Sequence, residues 1–386
     1  MQRIATRLFA AVASAMLLSS GVGAAAVSGP PVEINVIVPL TGPAAQYGQN
    51  LQQAFGVVEK DLNSRGGIAG RPIKFVLLDD QTNPQVTVQL VNSVVASGAQ
   101  IFIGGSLSAM CKASIPLVAE KGPVMMCLSP AVYPPKGGYV FSSSIHPYDL
   151  AVASFRFFHK KGWNNIALMM ATDATGQEVD TKIDAVMALP ENRDLRIVAH
   201  EHFGTNDVSV AAQVSKILAA RPQALLIWTG TNISVVFQAL SDAGSKIPVA
   251  TSSGFMLYRQ MEQWGRFLPP ELYFATTKWV AYPDIRNATV KDALSKYFVA
   301  FRTSGIHPDQ GHQIPWDPAL IVVSALRALG PDAKAPALHE YLERLHGFAG
   351  TSGIYDFRSG DQRGLSPDET IISEWVPSKQ TWAEAK

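Results

Sequence analysis

The chain has 386 residues, enough for two or three domains with large buried cores. It carries 32 Lys and Arg against 31 Asp and Glu, so its formal net charge is +1, and only 16% of its residues are charged. With 47% apolar residues the composition is that of a globular protein and excludes general disorder. A near-neutral chain is not typical of nucleic-acid-binding scaffolds, and we expect no nucleic-acid partner.

The first 26 residues have the pattern of a signal peptide. Arg3 and Arg7 precede an uncharged apolar stretch at 8–18, and small residues follow at 23–26. We therefore predict a signal peptide at 1–26, cleavage near Ala26 and a periplasmic location. A membrane anchor is the alternative, but the stretch is shorter than the roughly 20 residues needed to span a bilayer. Cleavage would leave 30 basic residues against 31 acidic ones.

From Glu33 onward, short β-branched runs alternate with amphipathic helical stretches, which is typical of parallel sheets with crossover helices. The pattern predicts strands at 34–38, 73–78, 101–104 and 124–128. A helix with one apolar face follows the first strand and ends at Gly66 and Gly67. Pro84 opens the next helix at a favoured first-turn position, and Ser108 begins another.

A segment rich in Gly, Pro and Ser at 133–147 marks a crossing to a second domain. Beyond it the same alternation predicts helices at 148–161, 177–189, 208–220 and 233–243, with strands at 166–170, 195–202, 224–228 and near Val249. After a strand at 272–276, helices at about 289–302, 318–329 and 336–345 indicate a return to the first domain. The segment 347–364 has the character of a hairpin.

The order of motifs resembles the periplasmic leucine/isoleucine/valine-binding protein family, the amino-acid and amide receptors of ABC importers. The resemblance runs from Glu33 to about Phe357 and rests on PLTGPAAQYG, LNSRGGIAGRPIKFVLLDDQTNP, FIGGSLSA, VMMCLSPA and FGTNDVSVAAQVSKILAARPQALLIWTG. It implies a type I bilobal fold: α/β, with two doubly wound parallel-sheet lobes joined by a hinge of several crossovers. We expect lobe 1 at 27–146 plus 273–355 and lobe 2 at 147–272 plus 356–386.

Two strand ends of the first lobe form a candidate carboxylate cradle. Ligands of doubly wound sheets bind outside the carboxyl ends of strands, where helix N-termini present free N–H groups. Ser106 and Ser108 stand at such an end, although Ser108 has the alternative role of an N-cap. The family resemblance implies that Ser108, Ala131 and Tyr133 occupy ligand-carboxylate positions.

The second lobe departs from the family's amino-acid receptors. Those receptors hold the ligand ammonium with an acidic residue after a second-lobe strand, and this chain has Ser252 and Ser253 there. A serine does not neutralise a buried ammonium, whose unpaired burial costs at least several kcal/mol. Three acidic residues remain as alternatives, namely Asp173, Asp242 and Glu262. The resemblance also implies ligand contacts at Thr175 and Thr231.

Aromatic residues at predicted strand ends and loops would suit a planar ligand. Burial of roughly 150 Å² of an aromatic ring contributes about 4 kcal/mol at 25 cal/mol/Å². We select Tyr47, Tyr133, Trp228 and Phe255 as candidate contacts. Their alternative role is ordinary core packing, above all for Phe255.

Two cysteines remain after the predicted leader, Cys111 and Cys127, one opening a helix and the other ending the following strand at the same sheet edge. An exported chain meets an oxidising compartment, so either a disulfide or two buried thiols is consistent with the sequence.

Two other patterns contain residues that could bind a metal or act as catalytic acids, but each has a simpler explanation. His200 and His202 flank Glu201 on a strand without an evident third metal ligand, and Asp79 and Asp80 are better explained as turn and capping residues. We therefore expect no metal and no cofactor.

The sequence thus favours a monomeric receptor, not an enzyme, that captures a small carboxylate with an aromatic or apolar body and delivers it to a membrane permease. A receptor for branched-chain amino acids or amides is the alternative from the same class. A secreted hydrolase is the alternative from another class, but it would need a nucleophile and base for which no motif is found.

Overall fold

The computed structural model describes residues 27–129, 132–360 and 362–386. The predicted signal peptide and Ala131 lie outside these residues. The strands of the described chain are β1 (Val32–Val38), β2 (Ile73–Asp79), β3 (Ile101–Gly104), β4 (Val124–Cys127), β5 (Val140–Ser142), β6 (Asn165–Ala171), β7 (Arg196–Phe203), β8 (Ala224–Trp228), β9 (Val249–Ser252), β10 (Leu272–Thr277), β11 (His346–Ala349), β12 (Ile354–Asp356), β13 (Thr370–Val376) and β14 (Thr381–Glu384). Its α-helices are α1 (Ala45–Ser64), α2 (Pro84–Ala96), α3 (Ser108–Val118), α4 (Pro147–Lys160), α5 (Ala174–Asp180), α6 (Ile183–Met187), α7 (Ala211–Ala219), α8 (Ile233–Asp242), α9 (Tyr258–Trp264), α10 (Ala288–Thr303), α11 (Gln310–Gln313), α12 (Trp316–Leu329) and α13 (Ala335–Arg344).

The first sheet contains five parallel strands in the order β2-β1-β3-β4-β5. Every residue of β3 and β4 is buried, as expected for strands covered by helices on both faces. The prediction missed β5, because its three residues lie inside the Gly-, Pro- and Ser-rich crossing segment and are too few to show a period.

The second sheet has seven strands in the order β14-β13-β10-β9-β8-β6-β7. Its β7-β6-β8-β9-β10 part is parallel and repeats the strand order of the first sheet, whereas β13 and β14 add antiparallel strands at one edge. The predicted lobe boundary at 272/273 is wrong for β10, which pairs with β9 along Leu272–Ala275 and therefore belongs to the second sheet. The fold confirms the two doubly wound α/β lobes.

Local chemistry explains several helix starts. Asn83 caps α2 by accepting hydrogen bonds from the backbone N–H groups of Gln85 and Val86, and Pro84 occupies the first turn as predicted. The helix predicted at 177–189 is instead two short helices, α5 and α6. Helix α12 packs against α1 and α13 and contacts β3 of the first sheet, whereas α13 contacts β4. Within the described residues, no helix is both long and apolar enough to cross a membrane.

Hydrogen bonds between buried polar groups connect the chain segments that pass between the lobes. The Tyr355 hydroxyl donates to the Ser143 carbonyl (2.9 Å) and to the Asp317 carboxylate (2.9 Å). Elsewhere, Asp309 accepts hydrogen bonds from Asn50 of α1 (3.0 Å) and from the backbone N–H of Tyr258 at the start of α9 (3.2 Å). These bonds join α1 of the first lobe to α9 of the second.

Candidate ligand-binding cleft

The first wall of the candidate cleft lies where β3 passes into α3. In sheets with this strand order, the crevice opens beside the first strand, at the point where the order reverses. Ser106 and Ser108 lie there with only 3% and 2% of their surface exposed. The Ser108 hydroxyl lies 3.2 Å from the Ser129 hydroxyl, whereas the buried Ser106 hydroxyl has no hydrogen-bond partner in the described chain. The wall therefore contains a buried hydroxyl whose hydrogen-bonding capacity is not used within the described residues.

The position of α3 is set by a close approach and a covalent bond. Gly105 has φ +71°, and a Cβ there would lie 2.7 Å from Cys111 Sγ, so a larger residue would displace the helix. Cys111 and Cys127 form a disulfide with a Cα–Cα distance of 6.2 Å. This bond confirms one of the two states left open by the sequence, and it fixes the first turn of α3 to the end of β4.

The second wall lies where β6 passes into α5, at the equivalent reversal point of the second sheet. Asp173 caps α5 by accepting hydrogen bonds from the N–H groups of Thr175 (3.0 Å) and Gly176 (2.7 Å) on Oδ1. Its Oδ2 accepts from the Thr229 hydroxyl (2.9 Å) and the Gly230 N–H (2.8 Å). The carboxylate is thus occupied by four donors, and it ties the end of β6 to the end of β8.

Two contacts join these walls across the cleft, and we call their four residues the interlobe clasp. The Ser108 hydroxyl lies 2.9 Å from the Thr175 hydroxyl, and Lys112 Nζ lies 2.7 Å from Glu178 Oε2. Ser108 therefore does not act as the side-chain N-cap of α3, which was its alternative role. A Cβ at Gly230 would lie 2.7 Å from Thr175 Oγ1, so the glycine leaves room for the clasp.

Tyr133 lies at the side of the cleft with 40% of its surface exposed. Burial raises the pKa of its phenol, and the negative charge and hydrogen bond of Glu178 raise that pKa further. The ammonium of Lys182 lies 5.4 Å from the ring centroid, and the guanidinium of Arg363, from the segment between β12 and β13, lies 5.7 Å from it. Cations from two distant segments of the chain thus lie close to this ring.

The other predicted contact residues lie in different environments, some in the core and some near the cleft. Trp228 and Phe255 are buried within apolar clusters of the core, where Phe255 packs near Trp264. A ligand contact by either side chain stays a prediction. Tyr47 is half-buried on α1, and burial together with the charge of Asp309 raises the pKa of its phenol. Thr231 follows β8 and is half-buried close to the Asp173 network.

Ser253 follows β9 at the same sheet edge and is half-buried. Of the three acidic residues that were alternatives to it, only Asp173 lies at the cleft. Asp242 accepts a hydrogen bond from Gln238 on the exposed side of α8 (2.7 Å). Glu262 is exposed on α9.

Sequence reasoning missed Arg363, whose side chain is buried with 4% of the residue exposed. Its guanidinium donates to the carbonyl groups of Ser144 (3.1 Å) and Ile145 (3.4 Å), next to Tyr133. No local signal identifies it, because the residue lies in a predicted hairpin more than 200 positions from the segment it contacts. Lys112 and Glu178 were missed for the same reason.

Two α/β lobes with equivalent strand orders, facing each other through helix starts and hydroxyl groups, define a bilobal solute-binding protein. A family model described as periplasmic binding protein matches residues 31–371, and the chain belongs to this family. Its members bind small molecules outside the cytoplasm and work with ABC transporters. They are binding proteins rather than enzymes.

The chain is similar to the leucine-, isoleucine-, valine-, threonine- and alanine-binding protein of Pseudomonas aeruginosa, with 24% identity over 224 residues, 56% of this chain and 57% of that protein. It is 32% identical to the Leu/Ile/Val-binding protein BraC3 of Rhizobium johnstonii over 95 residues, 25% of this chain and 26% of that protein. The matched segments therefore span about a quarter to just over half the length of these curated relatives.

Solved structures show the same fold. An extracellular ligand-binding receptor from Rhodopseudomonas palustris HaA2 superposes with a TM-score of 0.81 at 20% identity, over 92% of this chain and 100% of that one. A solute-binding protein of an R. palustris ABC transporter in complex with benzoate has a TM-score of 0.73 at 16% identity, over 92% and 95% of the two chains. A branched-chain amino acid transporter substrate-binding protein from Streptococcus pneumoniae in complex with isoleucine has a TM-score of 0.72 at 14% identity, over 92% and 100%.

Proposed function

We propose that this protein captures a small carboxylate with an aromatic or otherwise apolar body in the cleft between its lobes and delivers it to the membrane permease of an ABC importer. In this proposal the protein is exported with its signal peptide removed and acts as a monomer in the periplasm. The ligand closes the lobes, and the closed form is the one that the permease binds.

The hydrogen bonding of Asp173 is the observation that supports a ligand without an ammonium group. An α-amino acid brings an ammonium group, which needs an acidic partner when buried. Asp173 stands where β6 passes into α5, and four donors already occupy its two oxygens. Glu178, another acidic residue of the second wall, is paired with Lys112. An added ammonium would have to compete with these bonds, so the second wall favours a ligand without one.

The first wall supplies donors for a carboxylate. The Ser106 hydroxyl is buried without a partner in the described residues, and Ser108 stands at the N-terminus of α3, where the helix dipole favours negative charge. The guanidinium of Arg363 beside Tyr133 adds positive charge on the same side. The benzoate bound by the R. palustris relative is a ligand of this class.

A calorimetric titration of ligand-stripped protein with benzoate, benzamide and leucine tests the proposal. Charge-assisted hydrogen bonds contribute about 1.5 to 3 kcal/mol each, so benzoate should bind at least roughly tenfold more tightly than benzamide. Ser108→Ala should weaken benzoate binding, whereas the matched control Ser93→Ala, on the exposed side of α2, should leave it unchanged. Mass spectrometry of the protein as purified would identify a retained ligand.

A branched-chain amino acid or amide is the second candidate ligand, favoured by the names of the P. aeruginosa and R. johnstonii relatives. Tight binding of leucine together with no binding by aromatic or aliphatic acids would establish this candidate. It would also mean that Asp173 gives up donors when the ligand enters.

A further inference from the structure

Three potential metal ligands converge on the surface of the second lobe, away from the cleft. His200 and His202 lie two residues apart on β7, the last strand at one edge of the second sheet, so their side chains point to the same face. Asp180 is the last residue of α5. His200 Nε2 lies 2.7 Å from Asp180 Oδ1, and His202 Nε2 lies 2.7 Å from Asp180 Oδ2. One ligand atom from each residue lies within 4.8 Å of the other two.

The hydrogen bonds of this group leave one interaction unexplained. His202 Nε2 and Asp180 Oδ2 form a hydrogen bond. His200 Nε2 lies close to Asp180 Oδ1 but is not oriented to form a hydrogen bond with it. Asp180 Oδ1 is buried and has no hydrogen-bond partner in the described residues. Glu201 lies on the opposite face of the strand and pairs with Lys216 (3.1 Å), so it does not take part in the group. A buried oxygen and an imidazole nitrogen that face each other without a hydrogen bond are suited to sharing a cation.

We propose that Asp180, His200 and His202 form a binding site for a divalent transition-metal ion such as Zn²⁺. Two imidazoles and a carboxylate are a ligand set that zinc accepts, with a water in the fourth position. Ligand atoms held about 2.0–2.1 Å from a tetrahedral ion lie about 3.3 Å apart, between the shortest and the longest separations in the group. Side-chain rotations that move the ligand atoms by about an ångström would therefore be sufficient to bring them to the distances of a tetrahedral site.

The ion would connect an edge strand to the helix that forms the second wall of the cleft. Helix α5 carries Thr175 and Glu178 of the interlobe clasp, and Asp180 is its last residue. Metal binding would thus fasten α5 to β7. The site is nevertheless separate from the ligand cleft, and its test does not depend on the identity of the transported ligand.

The test uses the full mature chain without a histidine tag, dialysed against EDTA and then titrated calorimetrically with ZnCl₂. The expected result is one Zn²⁺ per chain, with affinity reduced at least roughly tenfold in His202→Ala and Asp180→Asn. The matched control His159→Ala removes an exposed histidine at the end of α4 and should leave zinc binding unchanged. Co²⁺ in place of zinc should give the visible absorption of a tetrahedral complex, and this absorption should be lost in His200→Ala.

Circular dichroism of each variant separates loss of the site from loss of the fold. A wild-type chain that binds no zinc would overturn the proposal and leave the group as a surface ion pair. Zinc binding that persists in folded His202→Ala and Asp180→Asn would also overturn it, because the metal would then bind elsewhere.

Discussion

Reversing the charge of Lys112 should open the cleft. Lys112 and Glu178 belong to different lobes, and their charged atoms lie 2.7 Å apart, with 41% and 11% of the two side chains exposed. A partly exposed pair of this kind contributes up to about 1 kcal/mol, and Lys112→Glu replaces the attraction by a repulsion of similar size. The closed form should therefore lose about 2 kcal/mol relative to the open form, a change of about 30-fold in their ratio.

Pulsed electron-electron double resonance can measure this ratio through spin labels on Lys60→Cys and Ser241→Cys, at exposed helical positions of the two lobes. The chain's two cysteines are joined in the disulfide, so the labels react only at the introduced sites. The fraction of long distances should rise in Lys112→Glu and return towards the original value in the swapped double variant Lys112→Glu/Glu178→Lys.

The matched control is Lys74→Glu, which makes the same charge change in a pair that lies within the first lobe. Lys74 Nζ lies 3.4 Å from Glu33 Oε1, and both residues are on the first sheet. The reasoning is refuted if Lys112→Glu leaves the distance distribution and the scattering radius of gyration unchanged, or if the double variant opens the cleft further.

Replacing Cys111 and Cys127 by serine should lower the free energy of unfolding by about 3 kcal/mol, because the disulfide closes a loop of 16 residues; an unchanged urea midpoint would contradict this. Burial raises the pKa of Asp80 to about 6, above its ordinary value of about 3.9, so the native state binds a proton that the unfolded state releases. The contribution of Asp80 to stability is therefore full below about pH 4 and lost as the pH rises through 6, and Asp80→Asn should remove this slope from urea unfolding measured between pH 4 and 7. Phe255→Ala should destabilise the protein by about 3 kcal/mol, as expected for a core aromatic; a loss of ligand affinity with unchanged stability would return Phe255 to the cleft.

The local sequence pattern was sufficient to predict the two-sheet α/β architecture. Alternating short apolar runs and amphipathic stretches predicted most strands of both sheets, since burial on two faces and a helical period are properties of neighbouring residues. The hairpin predicted at 347–364 is confirmed by β11 and β12. Strand β5 and the edge pair β13 and β14 were missed, because their assignment depends on the partner strands that receive them.

The sequence also located the cleft walls, because a serine that follows a parallel strand and opens a helix must lie at the carboxyl edge of the sheet. Ser108 was predicted there and lies there, opposite Thr175. The pattern did not distinguish a cleft aromatic from a core aromatic, since both occur at the ends of apolar strands; only the packing shows that Trp228 and Phe255 lie within buried apolar clusters.

Only the tertiary structure decided which groups meet. Asp173 was a free acidic candidate in the sequence, and its four donors come partly from a loop more than 50 residues away. His200 and His202 had no third ligand until the packing of α5 against the second sheet brought Asp180 to them. The physical reason is the same in each case: the sequence encodes periodicity and local capping, whereas a polar side chain acquires its partner only when distant segments pack together and exclude water.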